Sequence, residues 1–144
     1  MVHSTQKVWS GLSGELKEIY KVGRRALAAA DEDATPEAFH EWRKQAKYLR
    51  HQLQLLEPMW PGVMGELAEE VHTLADLFGD DHDLVVLRGK LTSSPEEFGG
   101  RARVQKLLTF IDRRRRELEE ETFALGHRLY ADKPKDFTGR LRGY

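Results

Sequence analysis

The sequence predicts an all-α fold, an antiparallel four-helix bundle, and three observations carry that prediction. Apolar residues recur at three- and four-residue steps over nearly the whole chain. Prolines stand where helices would begin or end. No stretch of any length alternates apolar and polar residues as a half-buried strand does. Short connections make neighbouring helices antiparallel. A chain of 144 residues suits one domain, residues 1–144, burying roughly 70% of its unfolded surface.

The first helix shows Leu12, Leu16, Ile19, Tyr20, Leu27 and Ala30 at helical spacing and stops in Asp31, Glu32 and Asp33. Thr35 before Pro36 is an N-cap with proline at the first helical position, so the second helix starts there. It closes at Glu57, because the residue before Pro58 disfavours the helical region. Pro61 can open a third helix, whose stripe is Leu67, Val71, Leu74, Ala75 and Phe78. Gly79 either ends or kinks it, and Leu84, Val85, Leu87 and Leu91 continue the pattern. Ser94, Pro95 and Glu97 make a capping-box signature, with Gly99 and Gly100 delaying the regular start of the next helix. The fourth helix carries Val104, Leu107, Leu108, Ile111, Leu118, Leu125 and Leu129. Pro134 ends it, and Phe137 to Tyr144 reads as an irregular tail.

One third of the residues are charged, yet the formal net charge is −1. A protein that coats nucleic acid non-specifically usually carries a positive excess, so a basic site in this chain must be local. The absence of cysteine excludes disulfides, thiolate metal sites and a cysteine nucleophile. No segment approaches the roughly 18 apolar residues of a membrane span. The first residues lack the apolar core of a signal peptide. A cytoplasmic location is the expectation.

The most informative segment lies on the second helix. His40, Arg43, Lys44, Lys47, Arg50 and His51 fall within a sector of about 120° when placed at about 100° per residue. Phe39, Trp42, Ala46, Leu49, Leu53 and Leu56 fill a separate apolar sector. The basic stripe is about 16 Å long, which suits an extended polyanion better than a small anion. Arg43 and Arg50 can offer bidentate forks to phosphate oxygens, while Lys44 and Lys47 act as point charges. Histidines gain charge as pH falls through about 6.5. The bland alternative is a solvated helix face paired with neighbouring helices. Against it, Glu41 is the only acid between residues 38 and 56. It projects away from the stripe, so partners are expected from another helix or a ligand.

Two further groups stand out. In Asp80, Asp81, His82 and Asp83 the plain reading is a helix end with an aspartate cap. The functional one turns His82 inward, with Asp83 or Asp80 orienting it or a neighbouring arginine. Among Arg113 to Arg116, residues Arg114 and Arg115 flank the stripe from Ile111 to Leu118 and are the expected inward pair. The acidic run that follows suits surface i,i+4 pairing. Arg24 and Arg25 on the first helix are similar candidates. Trp9, Trp42 and Trp60 read as core or interface anchors.

The run His40, Arg43, Lys44, Lys47, Tyr48 and Arg50, followed by Phe78 to Leu84 and Leu87, resembles the CHAD family, the conserved histidine α-helical domain. Phe123 to Tyr130 fits it too, so the resemblance spans about residues 10 to 140. It implies a helical, non-catalytic domain that binds inorganic polyphosphate, with no cofactor or metal, and that can occur in polyphosphate granules. By position, His40, Arg43, Lys44, Lys47 and Arg50 match the basic helix of the motif, and His82 and Asp83 the second motif. Arg24, Arg25 and Arg114 are looser matches. A full CHAD domain has two similar helical halves, and this chain resembles the second. It is then either part of a longer protein or a short form that pairs with another half or, as a homodimer, with a second copy.

Two other functions are compatible with the same residues. His82 with Asp83 on a helical scaffold is reminiscent of metal-dependent HD phosphohydrolases, with His40 and His72 as further ligands. Four cations around His40 disfavour a divalent metal there. A regulatory bundle docking an acidic protein or nucleic acid is the other. Low net charge and the lack of aromatics expected beside the stripe argue against nucleic acid.

Overall fold

Three of the five described α-helices begin at a proline, Pro36, Pro61 and Pro134. The computed structural model describes residues 2–59 and 61–142, with side chains described from residue 7 onward except those of 9, 59, 61, 63 and 142. Trp60 and the side chain of Trp9 therefore lie outside the described residues. Helix α1 spans Val2–Glu32, α2 Pro36–Leu56, α3 Pro61–Ser93, α4 Arg101–Leu129 and α5 Pro134–Arg142. Short 3₁₀ turns occupy Glu57–Met59 and Pro95–Phe98. Among the described residues there is no strand, as the sequence predicts.

The Thr35 cap forms as expected: its hydroxyl accepts a hydrogen bond from the Ala38 backbone N–H at 3.0 Å, and Pro36 opens α2. This satisfies one of the amides that a helix start leaves without an internal partner. Helix α3 runs unbroken through Gly79, so the glycine neither ends the helix nor starts a new one. Ser94 departs from expectation. It precedes the 3₁₀ turn, and its side chain makes no capping hydrogen bond. Gly99 and Gly100 both have positive φ, 96° and 95°. That region is open to glycine at little cost, and it reverses the chain before Arg101.

The tail also differs from expectation. Pro134 begins α5 rather than simply ending α4, and residues 137–141 are helical. Phe137 and Leu141 are buried. The Phe137 ring stacks on Tyr20 of α1, with centroids 4.0 Å apart and planes 8° from parallel. Nine residues are too few for a stable isolated helix, so α5 exists because this aromatic face is buried against α1.

The chain divides into two compact units: Met1–Ala75 with Gly126–Tyr144, and Asp76–Leu125. In the first unit α1 packs on α2 and α5. Its core includes Leu16, Tyr20, Leu27, Trp42, Leu49, Leu53, Val71 and Leu74. Each such large side chain contributes roughly 1.5–3 kcal/mol on burial.

The second unit is a helical hairpin from the distal part of α3 and most of α4. Leu91, Val104, Leu108 and Ile111 form its core, with Leu84 packed against them. Leu107, expected in this stripe, is exposed. The hairpin is also pinned by ions. Arg115 Nε donates to Asp81 at 2.9 Å and Arg88 Nε donates to Asp112 at 2.9 Å.

Candidate basic anion-binding face

Helix α2 is oriented by what it buries. Trp42, Ala46, Leu49, Leu53 and Leu56 are all within 1% of full burial, while Phe39 from the same expected sector is half-buried. Fixing that side inward turns the basic side outward. His40, Lys44, Lys47 and His51 are exposed, and Arg43 and Arg50 are half-buried. The six residues thus share one helix face, as expected.

Arg43 and Arg50 differ from the rest of the stripe. The Nε atom of each is buried and has no hydrogen-bond acceptor. The residues are two helical turns apart, about 10.5 Å. Burying an unpaired N–H costs about 1–3 kcal/mol, and native proteins rarely tolerate it without a reason. Arginine stems commonly lie along apolar surface with the charged end toward water.

Lys44 behaves differently from expectation. Helical projection points Glu41 away from the stripe, yet it meets Lys44 Nζ at 2.9 Å and accepts from Gln45 Nε2 at 3.0 Å. The Lys44 hydrogen bond, followed by the Gln45 one, holds the Glu41 carboxyl below the usual carboxylate range. The same contact raises the Lys44 ammonium. Intrahelical compensation therefore reaches one cation. Among the described residues, Arg43, Lys47 and Arg50 make no ion pair. Two unit charges about 6 Å apart repel by about 0.7 kcal/mol in water, and a bound anion would remove that repulsion.

The remaining candidates lie elsewhere. Arg24 is half-buried and Arg25 exposed on α1, in the same unit as α2. His82 and Arg114 belong to the hairpin unit. His82 is exposed instead of facing an interior, because the seam of the hairpin passes through Asp81, Leu84, Arg88 and Leu91. Arg114 is also turned outward, half exposed and paired with Glu117 at 3.1 Å. Of the expected inward pair only Arg115 is tucked in, and its partner is Asp81 rather than Asp80 or Asp83. The spacing of that seam was the available signal: Asp81 lies three residues before Leu84 and seven before Arg88, in step with it.

Among the described residues no three His, Asp or Glu side chains gather as a metal-holding group. His40 and His72 belong to one unit and His82 with Asp83 to the other. No described helix is long and apolar enough to cross a membrane.

The basic run from His40 to Arg50 thus sits on α2, and the run from Phe78 to Leu87 on α3. A family model, the CHAD domain, matches residues 3–92. The chain belongs to the CHAD family. The matched span of this CHAD chain takes in both motifs and ends within the last turn of α3; the segment 123–130 lies beyond it. No curated protein and no solved structure matches the chain.

Proposed function

We propose that this CHAD chain binds inorganic polyphosphate without catalysis, through the α2 face formed by His40, Arg43, Lys44, Lys47, Arg50 and His51. The observation that carries the reading is the outward basic face of α2, on which Arg43, Lys47 and Arg50 make no ion pair among the described residues. Phosphate oxygens are acceptors with the geometry a guanidinium fork prefers. A repeating anion can supply them two turns apart on one molecule. CHAD membership favours the same ligand, as does the uncompensated charge of Lys47. Arg24 and Arg25, in the unit that carries α2, are secondary contacts on this reading. An intracellular compartment that holds polyphosphate, granules included, is the matching location.

Calorimetric titration with long-chain polyphosphate at two salt concentrations, with orthophosphate as control, tests it. Polymer binding should weaken steeply with salt, as it does when a polyanion releases counterions, and orthophosphate should bind little. Arg43→Glu with Lys47→Glu should abolish binding while leaving the helical spectrum unchanged, because neither side chain lies in the core. Full affinity in that double variant would remove the stripe from the mechanism.

A second reading rests on Tyr48, which is 47% exposed and lies one residue from Lys47. An exposed ring beside a basic stripe is what single-stranded nucleic acid uses for base stacking. Competition between polyphosphate and single-stranded RNA separates the two. Displacement of polyphosphate by RNA at equal charge, lost in Tyr48→Ala, would favour the nucleic acid.

A further inference from the structure

The hairpin unit has two unlike flanks. Taking Leu84 as zero on α3, Arg88 and Asp81 lie at about +40° and +60°, and Leu87 and Asp83 at about −60° and −100°. Taking Ile111 as zero on α4, Arg115 and Asp112 lie at about +40° and +100°, and Leu107, Arg114 and Phe110 at about −40°, −60° and −100°. The ion pairs Arg88 to Asp112 and Asp81 to Arg115 bring the positive sides of both helices together. Leu87, Leu107 and Phe110 therefore share the opposite flank. They are 41%, 43% and 64% exposed, and contiguous apolar surface of this kind marks an interaction site.

We propose that this flank is where a second copy of the chain docks, pairing two hairpins into an intermolecular four-helix bundle. The spacing supports it. Asp83, Leu87 and Lys90 on α3, and Arg103, Leu107, Phe110 and Arg114 on α4, repeat at steps of three and four beside the core seam. A two-helix hairpin uses one such seam, whereas a four-helix bundle uses a wider face on each helix.

Charge complementarity selects the second copy as occupant. Averaged over the two ion pairs, Leu87 lies level with Ile111, and Asp83 with Arg115. A two-fold axis running along the hairpin lays α3 of one copy over α4 of the other, antiparallel, with every residue kept at its own level. Leu87 then meets Phe110 of the second copy, and Asp83 meets its Arg114. Each contact occurs twice, as an isologous interface requires. Arg114 can change partners, because its pair with Glu117 is an exposed i,i+3 contact, and exposed pairs hold side chains only weakly. The inference does not depend on the polyphosphate reading, since none of its apolar contacts involves α2.

Sedimentation equilibrium of the full chain without ligand, across the micromolar range, tests it. The expected result is a dimer that dissociates on dilution. Phe110→Glu, at an exposed position that folding does not need, should raise the dimer dissociation constant by about tenfold or more, as loss of a central aromatic anchor does, with an unchanged circular dichroism spectrum. Asp83→Arg should weaken the dimer, and adding Arg114→Asp to it should restore it. A monomer at every concentration, a dimer indifferent to Phe110→Glu, or a double variant no better than Asp83→Arg alone would each overturn the proposal.

Discussion

Gly126 of α4 lies so close to the indole of Trp42 on α2 that a methyl group at position 126 would overlap the ring. A glycine inside a helix costs about 1 kcal/mol relative to alanine. Here it leaves the space that the buried Trp42 ring occupies, and Trp42 anchors the inward side of the helix whose outward side carries the basic stripe.

Gly126→Ala should therefore destabilise the first unit in spite of alanine's better helix propensity. Overpacking of this kind costs about 1–3 kcal/mol, read as a lower denaturation midpoint in urea. Trp42→Phe in the same chain should recover part of the loss by freeing space. A Gly126→Ala variant as stable as the parent would mean that the ring moves aside at no cost.

The Arg43 and Arg50 donors make a charge-conserving test possible. Arg43→Lys with Arg50→Lys keeps both positive charges and removes both Nε groups. Polyphosphate affinity should fall by about tenfold, because a lysine cannot reproduce the planar fork. The salt dependence should stay nearly the same, because the number of phosphates neutralised is unchanged. An unaltered affinity would show that the stripe acts as charge alone.

Tyr20 gives an alkaline prediction. Its hydroxyl donates to the Asp132 carbonyl at 2.8 Å, and burial, followed by the nearby Asp132 charge, pushes it up to about 12. The folded value lies above the unfolded one, so its contribution is fully present below about pH 10 and is lost as pH rises toward the folded value. Tyr130 is shifted in the same direction by its burial. Ultraviolet titration should show the ionisation of Tyr20 and Tyr130 delayed until unfolding begins. Tyr20→Phe should cost about 1 kcal/mol at neutral pH and make the remaining stability less sensitive to alkali.

The acid side has the opposite sign. The Arg88 hydrogen bond holds the Asp112 carboxyl below the usual carboxylate range. That contribution is present above about pH 4 and disappears as pH falls through the lowered folded value. The pair is about 40% exposed on both sides, so its worth is about 0.5 kcal/mol. Asp112→Asn should lower the melting temperature slightly at neutral pH and leave it unchanged once Asp112 is protonated. An equal loss at both pH values would assign the effect to packing.

The helix boundaries were legible because their causes are local. Thr35 with Pro36 and the apolar periodicity each act within a few residues, whereas Glu57 keeps helical angles, φ −51° and ψ −44°, before Pro58, and α2 passes there into a 3₁₀ turn. The basic stripe was legible for the same reason: a helix carries its angular order in its sequence. What the sequence did not reveal was which acid meets which base. Glu41 reaches Lys44 because a side chain can bend back across its own turn, which a projection of Cβ directions misses. Asp81, rather than its neighbours, reaches Arg115 because only a packed hairpin defines which flank lies at the seam. The last nine-residue helix escaped notice because its stability comes from Tyr20, more than one hundred residues away in sequence.

The sequence by itself determined that this chain is helical, where α2 and α3 start, and that one face of α2 gathers six basic groups. The tertiary structure decided that Arg43 and Arg50 keep buried donors without acceptors, that His82 and Arg114 face outward, and that Leu87, Leu107 and Phe110 form an exposed apolar flank. Helix formation and angular order depend on neighbours along the chain, whereas burial, ion pairing and exposed surface depend on which distant residues arrive alongside.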